Sequence, residues 1–164
     1  MSEATPPWPG LFRREGDQIV PAAPEDQEVA RSYCEFPDKG PIFEGQRITI
    51  LTRSVRQPFD QPVRIIHVCE AISASVCLFV MGPKPVYGEY VDDVLVTQPT
   101  PTDEDPLRPS AYDGRVLTGP AVDYNFDITS YIFDKVGTHI IQWRPIGGLA
   151  SNILRIEITS SVKL

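Results

Sequence analysis

Residues 122–158 read VDYNFDITSYIFDKVGTHIIQWRPIGGLASNILRIEI, and their alternation decides the fold class. Val122, Tyr124, Phe126 and Ile128 alternate with Asp123, Asn125, Asp127 and Thr129, the two-residue period of a strand with one buried face. His139, Ile141 and Trp143 repeat that period against Thr138, Ile140, Gln142 and Arg144. Leu154, Ile156 and Ile158 repeat it against Ile153, Arg155 and Glu157. The connector from Pro145 to Ala150 is short and carries Gly147 and Gly148, so the second and third strands are predicted to pair antiparallel as a hairpin. A small sheet with one apolar face does not hold together alone in water, so a second sheet must cover it.

Working outward, Pro41, Ile42, Phe43, Glu44 and Gly45 read as a strand running into a turn, and Gln46–Arg53 as an alternating strand with Ile48 and Ile50 on one face. A break from Ser54 to Gln61 leads into Val63–Glu70, which is nearly apolar on both faces, as a central strand should be. Ser75–Met81 and Tyr87–Thr97 are further predicted strands, with Asp92 and Asp93 marking a bulge, an edge or a turn. Residues 98–114 have no periodicity and read as a long surface loop. No stretch reads as a long helix. Asp26–Tyr33 has the length for one or two helical turns.

The chain has 164 residues, which fits one domain, and 17 prolines, which favour turns and extended segments over helices. Residues 1–39 are predicted to be a proline-rich, acidic N-terminal arm, and residues 40–164 the all-β domain. A net charge of −7 and a pI near 4.8 argue against nucleic acid or an anionic membrane as partner, since both need clustered Lys and Arg. The start of the chain lacks the positive, apolar pattern of a secretory signal and no run suits a bilayer, so the expected location is cytoplasmic. Cys34, Cys69 and Cys77 show no metal-like spacing and suit reduced thiols. A Cys69–Cys77 disulfide stays open for a protein exported without a leader.

The pattern Phe133, Gly137-Thr138-His139, Ile141, Trp143, Gly147-Gly148, Ser151-Asn152, Leu154, Ile156 and Ile158 resembles the last strands of immunoglobulin-like and fibronectin-III-like sandwiches. Pro41 to Ile50 resembles the first core strands of bacterial domains of that type. The resemblance implies an antiparallel immunoglobulin-like β-sandwich, a superfold that carries many unrelated functions. In many such domains a tyrosine follows Gly-Thr and ties down the preceding corner; this chain has His139 there.

Candidate chemistry is sparse. His67, Cys69 and Glu70 have the residue types of a nucleophile with its base, but on one strand Glu70 points away from the other two, so they read as structural strand residues. His67 and His139 are the only imidazoles, too few for a histidine-based metal site without carboxylates or thiolates. Asp103, Glu104, Asp105 and Asp113 lack the ligand spacing of a calcium loop and read as a solvated acidic loop. Neither a catalytic set, a cofactor site nor a metal site is therefore expected. Trp143 is expected to anchor the core.

Trp8, stiffened by Pro6, Pro7 and Pro9, is expected to dock against something, with Leu11 and Phe12 adding apolar area and Arg13 and Arg14 local positive charge. The expected function is a non-catalytic protein-binding or assembly module that presents its loops, a free sheet edge and this arm to a protein partner or to another copy of itself. The alternatives are a structural subunit of a larger particle or secretion apparatus, and a carbohydrate-binding or enzymatic domain working through the loop at 98–114.

Overall fold

The computed structural model describes residues 11–80, 83–99, 107, 115–145 and 148–160, and these form a mostly β structure of several sheets. The described residues open with a hairpin of β1 (Phe12–Glu15) and β2 (Gln18–Pro21), followed by helix α1 (Pro24–Arg31) and a 3-10 turn at Ser32–Glu35. Pro24 suits the first helical turn because its missing N–H would have no partner there, and Glu25 and Asp26 complement the positive end of the helix dipole.

Next come β3 (Gln46–Leu51), β4 (Arg56–Pro58), β5 (Val63–Ala71) and β6 (Cys77–Val80). They are followed by β7 (Glu89–Val91), β8 (Val94–Leu95), β9 (Arg115–Thr118), β10 (Ala121–Asp123) and β11 (Thr129–Tyr131). The terminal hairpin is β12 (Gly137–Trp143) with β13 (Leu154–Thr159), antiparallel as its glycine-bearing connector predicts. One sheet has β5 at its centre, with β3 on one edge and β10 and β11 along the other. The other has five strands in the order β4-β13-β12-β7-β8. β4 pairs parallel with β13 while β3 pairs with β5, so the chain crosses from one sheet to the other between them.

The two faces of β5 explain its apolar sequence. Val63, Ile65, Cys69 and Ala71 point into the core between the sheets, where they meet Ile48, Ile50, Ile141, Trp143, Leu154, Ile156 and Ile158. Ile66 and Val68 point the other way, into a second cluster with Leu51 and Tyr124, sealed by Leu11, Ala22, Ala30 and Tyr33. The described part of the proline-rich segment is thus folded onto the domain as a cap. Arg64 on β5 grips Asp26 of α1 through two hydrogen bonds, 3.1 and 2.6 Å, and Tyr33 and Arg47 both donate to Glu70. Each large apolar side chain sealed in this way contributes about 1.5–3 kcal/mol. The cap residues are spaced too irregularly to show a period, which is why the sequence reads them as an arm.

The strand predicted from Val122 to Thr129 is interrupted. β10 and β11 pair with opposite ends of β5, and the chain leaves the ladder between them. There Lys84 takes over: its N–H donates to the Asn125 carbonyl and its carbonyl accepts from Asp127, while its ammonium pairs with Asp123, both groups buried. Tyr124 is thereby sent to the cap and Phe126 to the main core, where its ring centroid lies 5.1 Å from that of Trp143. Asp92 and Asp93, with φ of 50° and 64°, form the tight turn joining β7 to β8, a conformation that Asp tolerates better than most residues. No helix among the described residues is long and apolar enough to cross a membrane.

Candidate functional site: a groove beside the β8 edge

The five-stranded sheet ends on two unlike edges. β4 carries Arg56 and Pro58, a charge and a residue without an N–H, both of which discourage further strands from pairing. At the other end no described strand covers β8, and Val94 and Val96 are 62% and 44% exposed. Val96 donates its N–H to Glu89 and Leu95 stands opposite Tyr90, so the antiparallel alternation turns the Leu95 N–H and C=O outward.

Against this edge lies an open groove of 470 Å³, walled by Val91, Val96, Ile132 and Phe133 and rimmed by Asp92, Asp134, Lys135 and His139. Ile132, at 70% exposed, is the most open large apolar side chain among the described residues. His139 sits at the rim. One ring nitrogen, Nδ1, lies 2.6 Å from the Asp92 carboxylate and the other, Nε2, 2.8 Å from the Lys135 carbonyl, while the Phe133 ring covers it at 4.3 Å between centroids. His139 thus ties the corner that precedes its own strand, the place its position after Gly-Thr marks in the sequence. Partial burial disfavours the charged ring, but the hydrogen bonds to Asp92 and Lys135 outweigh it and raise the pKa above 6.5. Asp92 shifts the other way. Burial pushes its carboxyl up, yet the bonds from His139 and from the Ile140 N–H hold it below the ordinary 3.8.

The wall of the groove leads into a sealed polar chain. Tyr131 donates its hydroxyl to Glu89 Oε1, which also accepts from Thr129 at 2.6 Å, and Glu89 Oε2 accepts from His67 Nε2 at 2.5 Å. The His67 and Glu89 side chains are fully buried, with the His67 ring edge-on to Trp143 at 5.0 Å. Burial alone would raise the Glu89 carboxyl; the charge and hydrogen bond of His67, then Thr129 and Tyr131, lower it below 4.5. Burial and the Glu89 charge push the Tyr131 phenol up. Among the described residues His67 Nδ1 has no hydrogen-bond partner. The bonds of this polar chain tie β5, β7 and β11 together across the core, with Tyr131 at the end that lines the groove.

Of the residues expected to dock, Trp8 lies outside the described residues. Leu11 is fully buried in the cap cluster of its own chain, and Phe12 is half-buried. Arg13 and Arg14 are exposed on β1 and line a separate cleft with Arg64, Glu25 and Asp127. Arg13 pairs there with Glu15 at 2.8 Å, and Arg14 donates to the Pro83 carbonyl at 3.4 Å. His67, Cys69 and Glu70 diverge as strand geometry requires: Glu70 bonds to Tyr33 and Arg47 on the cap side, whereas His67 and Cys69 enter the core. The acidic residues Asp103, Glu104, Asp105 and Asp113 lie outside the described residues, and of residues 100–114 only Leu107 is described, buried in the main core. Among the described residues no three His, Cys, Asp or Glu side chains come together to hold a metal. Glu89 and Lys84 went unmarked in the sequence, and Asp92 was read only as part of a bulge, an edge or a turn; the signal for all three was their place in or beside predicted strands. No protein-family model, curated protein or solved structure matches this chain.

Proposed function

We propose that this chain is a non-catalytic, immunoglobulin-like module that binds a protein partner by adding the partner's extended segment to the β8 edge. The passage of the chain from β3 on one sheet to β4 on the other, and the long hairpin of β12 and β13, support the immunoglobulin-like assignment. The single observation that carries the function is the contrast between the edges: β4 is blocked, whereas β8 offers outward main-chain groups beside an apolar groove. Strand addition uses those two features together, main-chain hydrogen bonds for affinity and pockets for alternate side chains. A buried Cys69 and an exposed Cys34 suit a reducing, cytoplasmic setting.

The test is a photo-crosslinking side chain at Val96, compared with one at Gln57 on the blocked edge, in cells that naturally make the protein. Discrete protein adducts from position 96 and none from 57 are expected. Adducts to other copies of the chain would favour the structural-subunit reading. Equal yields from both edges, or none, would defeat the proposal.

A further inference from the structure

The bonds of His139 have a consequence for the groove. A carboxylate and a carbonyl oxygen are both acceptors only, so a ring that bonds both at 2.6 and 2.8 Å must carry a proton on each nitrogen. The two partners belong to different walls, Asp92 to the turn between β7 and β8, and Lys135 to the corner between β11 and β12. We infer that His139 is a proton-operated clamp that fixes the two walls of the groove in place when doubly protonated and releases its corner wall when it loses a proton.

The direction of release follows from the charges around the ring. Asp92 faces Nδ1 and is itself anchored by the Ile140 N–H at 2.8 Å, so the neutral ring keeps its proton on Nδ1 and surrenders the bond to the Lys135 carbonyl. Asp134 on the corner adds a second negative charge that favours the protonated ring, and the Lys135 ammonium, on the same corner, is exposed. Across the turn, Asp93 is drawn toward Arg144 at 3.9 Å. On β13 the register partner of His139 is the apolar Ile156, and its charged neighbours Arg155 and Glu157 lie on the exposed face. Loss of the clamp therefore acts on Phe133 to Val136, the wall opposite the β8 edge. The raised pKa puts this event above pH 6.5.

The clamp deepens the binding function proposed for the groove and rests on it for its biological sense, but its chemistry is testable without any partner. Nuclear magnetic resonance on the full-length protein from pH 5.5 to 9 should show the His139 ring titrating above 6.5, with the amides of residues 134–136 following at the same midpoint. Exchange at those amides, corrected for its intrinsic pH dependence, should rise about tenfold, the effect of losing one charge-assisted hydrogen bond. Asp92→Asn should lower the midpoint, and His139→Gln should leave the corner indifferent to pH. Corner amides that ignore the ring's titration, or a midpoint unmoved by Asp92→Asn, would overturn the clamp. Crosslinking from Val96 at pH 6 and pH 8.5 separates the two ideas. Adducts that fall at the higher pH are expected, and equal yields with a titrating corner would refute gating. Absent adducts with a titrating corner would remove the binding function and leave the clamp.

Discussion

The two histidines of this protein each face a carboxylate, and the structure puts them to opposite uses. The His67–Glu89 pair has no exposed side-chain surface, whereas His139 and Asp92 are 13% and 47% exposed. Inside, the carboxylate is surrounded by three donors, and any change in protonation would strand groups that water cannot reach. At the rim, water can take over any bond the ring gives up. The same pairing is thus a fixed strut in the core and an adjustable fastening at the surface, and the difference is desolvation alone.

Truncating the sealed carboxylate should have the largest effect. Glu89→Ala leaves His67, Thr129 and Tyr131 without their shared acceptor and is expected to destabilise the fold by about 3–5 kcal/mol in chemical denaturation. Asp92→Ala should cost about 1 kcal/mol or less at neutral pH. Equal losses would mean that burial does not distinguish the pairs.

An uncharged buried bridge sharpens the point. Asn152 accepts from the Ile50 N–H at 2.8 Å and donates to the Ile50 carbonyl at 3.1 Å, joining the start of β13 to the opposite sheet as a strand would. Asn152→Ala should cost about 2–4 kcal/mol, because two buried main-chain groups lose their partner, and the loss should be flat with pH. A loss that varied with pH would point to a titrating group near Ile50.

The smallest effect expected is the pH dependence itself, and its sign differs between the pairs. The folded pKa of His139 is raised, so its stabilisation is complete below about 6.5, the unfolded value, and fades as pH rises through the folded one. Glu89 is depressed, so its stabilisation is present above the ordinary 4.5 and fades as pH falls through the folded value. Between pH 6 and 9 the advantage of wild type over His139→Gln should shrink by about 0.5–1 kcal/mol, as expected for a partly exposed pair, whereas the stabilisation carried by the Glu89 carboxyl should fade only as pH falls below 4.5. Denaturation midpoints followed from pH 9 down into the acid range would read the two trends directly.

What was legible in the sequence was local. Alternation marked the buried faces of β12 and β13, Trp143 was read as a core anchor, Asp92 and Asp93 as a bulge, an edge or a turn, and His139 as a corner residue standing where the resembled domains carry a tyrosine. Each of these rests on neighbours within a few residues, where the pleat of the strand dictates which way a side chain points. The cap was legible only in part: Leu11 was read as apolar docking area and Asp26–Tyr33 as one or two helical turns, but Leu11, Ala22, Ala30 and Tyr33 share no period, and nothing local names the outer face of β5 as the surface they cover. The buried pairs escaped because His67 meets Glu89 from 22 residues away and Lys84 meets Asp123 from 39. By itself, then, the sequence determined the general β class and the longer core strands, with the inward faces of β3, β12 and β13, but not the short strands β1, β2, β4 and β9, of which β4 lies within the break read from Ser54 to Gln61. Only the tertiary structure decided that Lys84 would interrupt the strand at Tyr124, that the described part of the proline-rich segment would fold back as a cap, and that no described strand would cover the β8 edge. Those outcomes depend on which distant surfaces meet, and alternation along a strand carries no record of the partner on the other side.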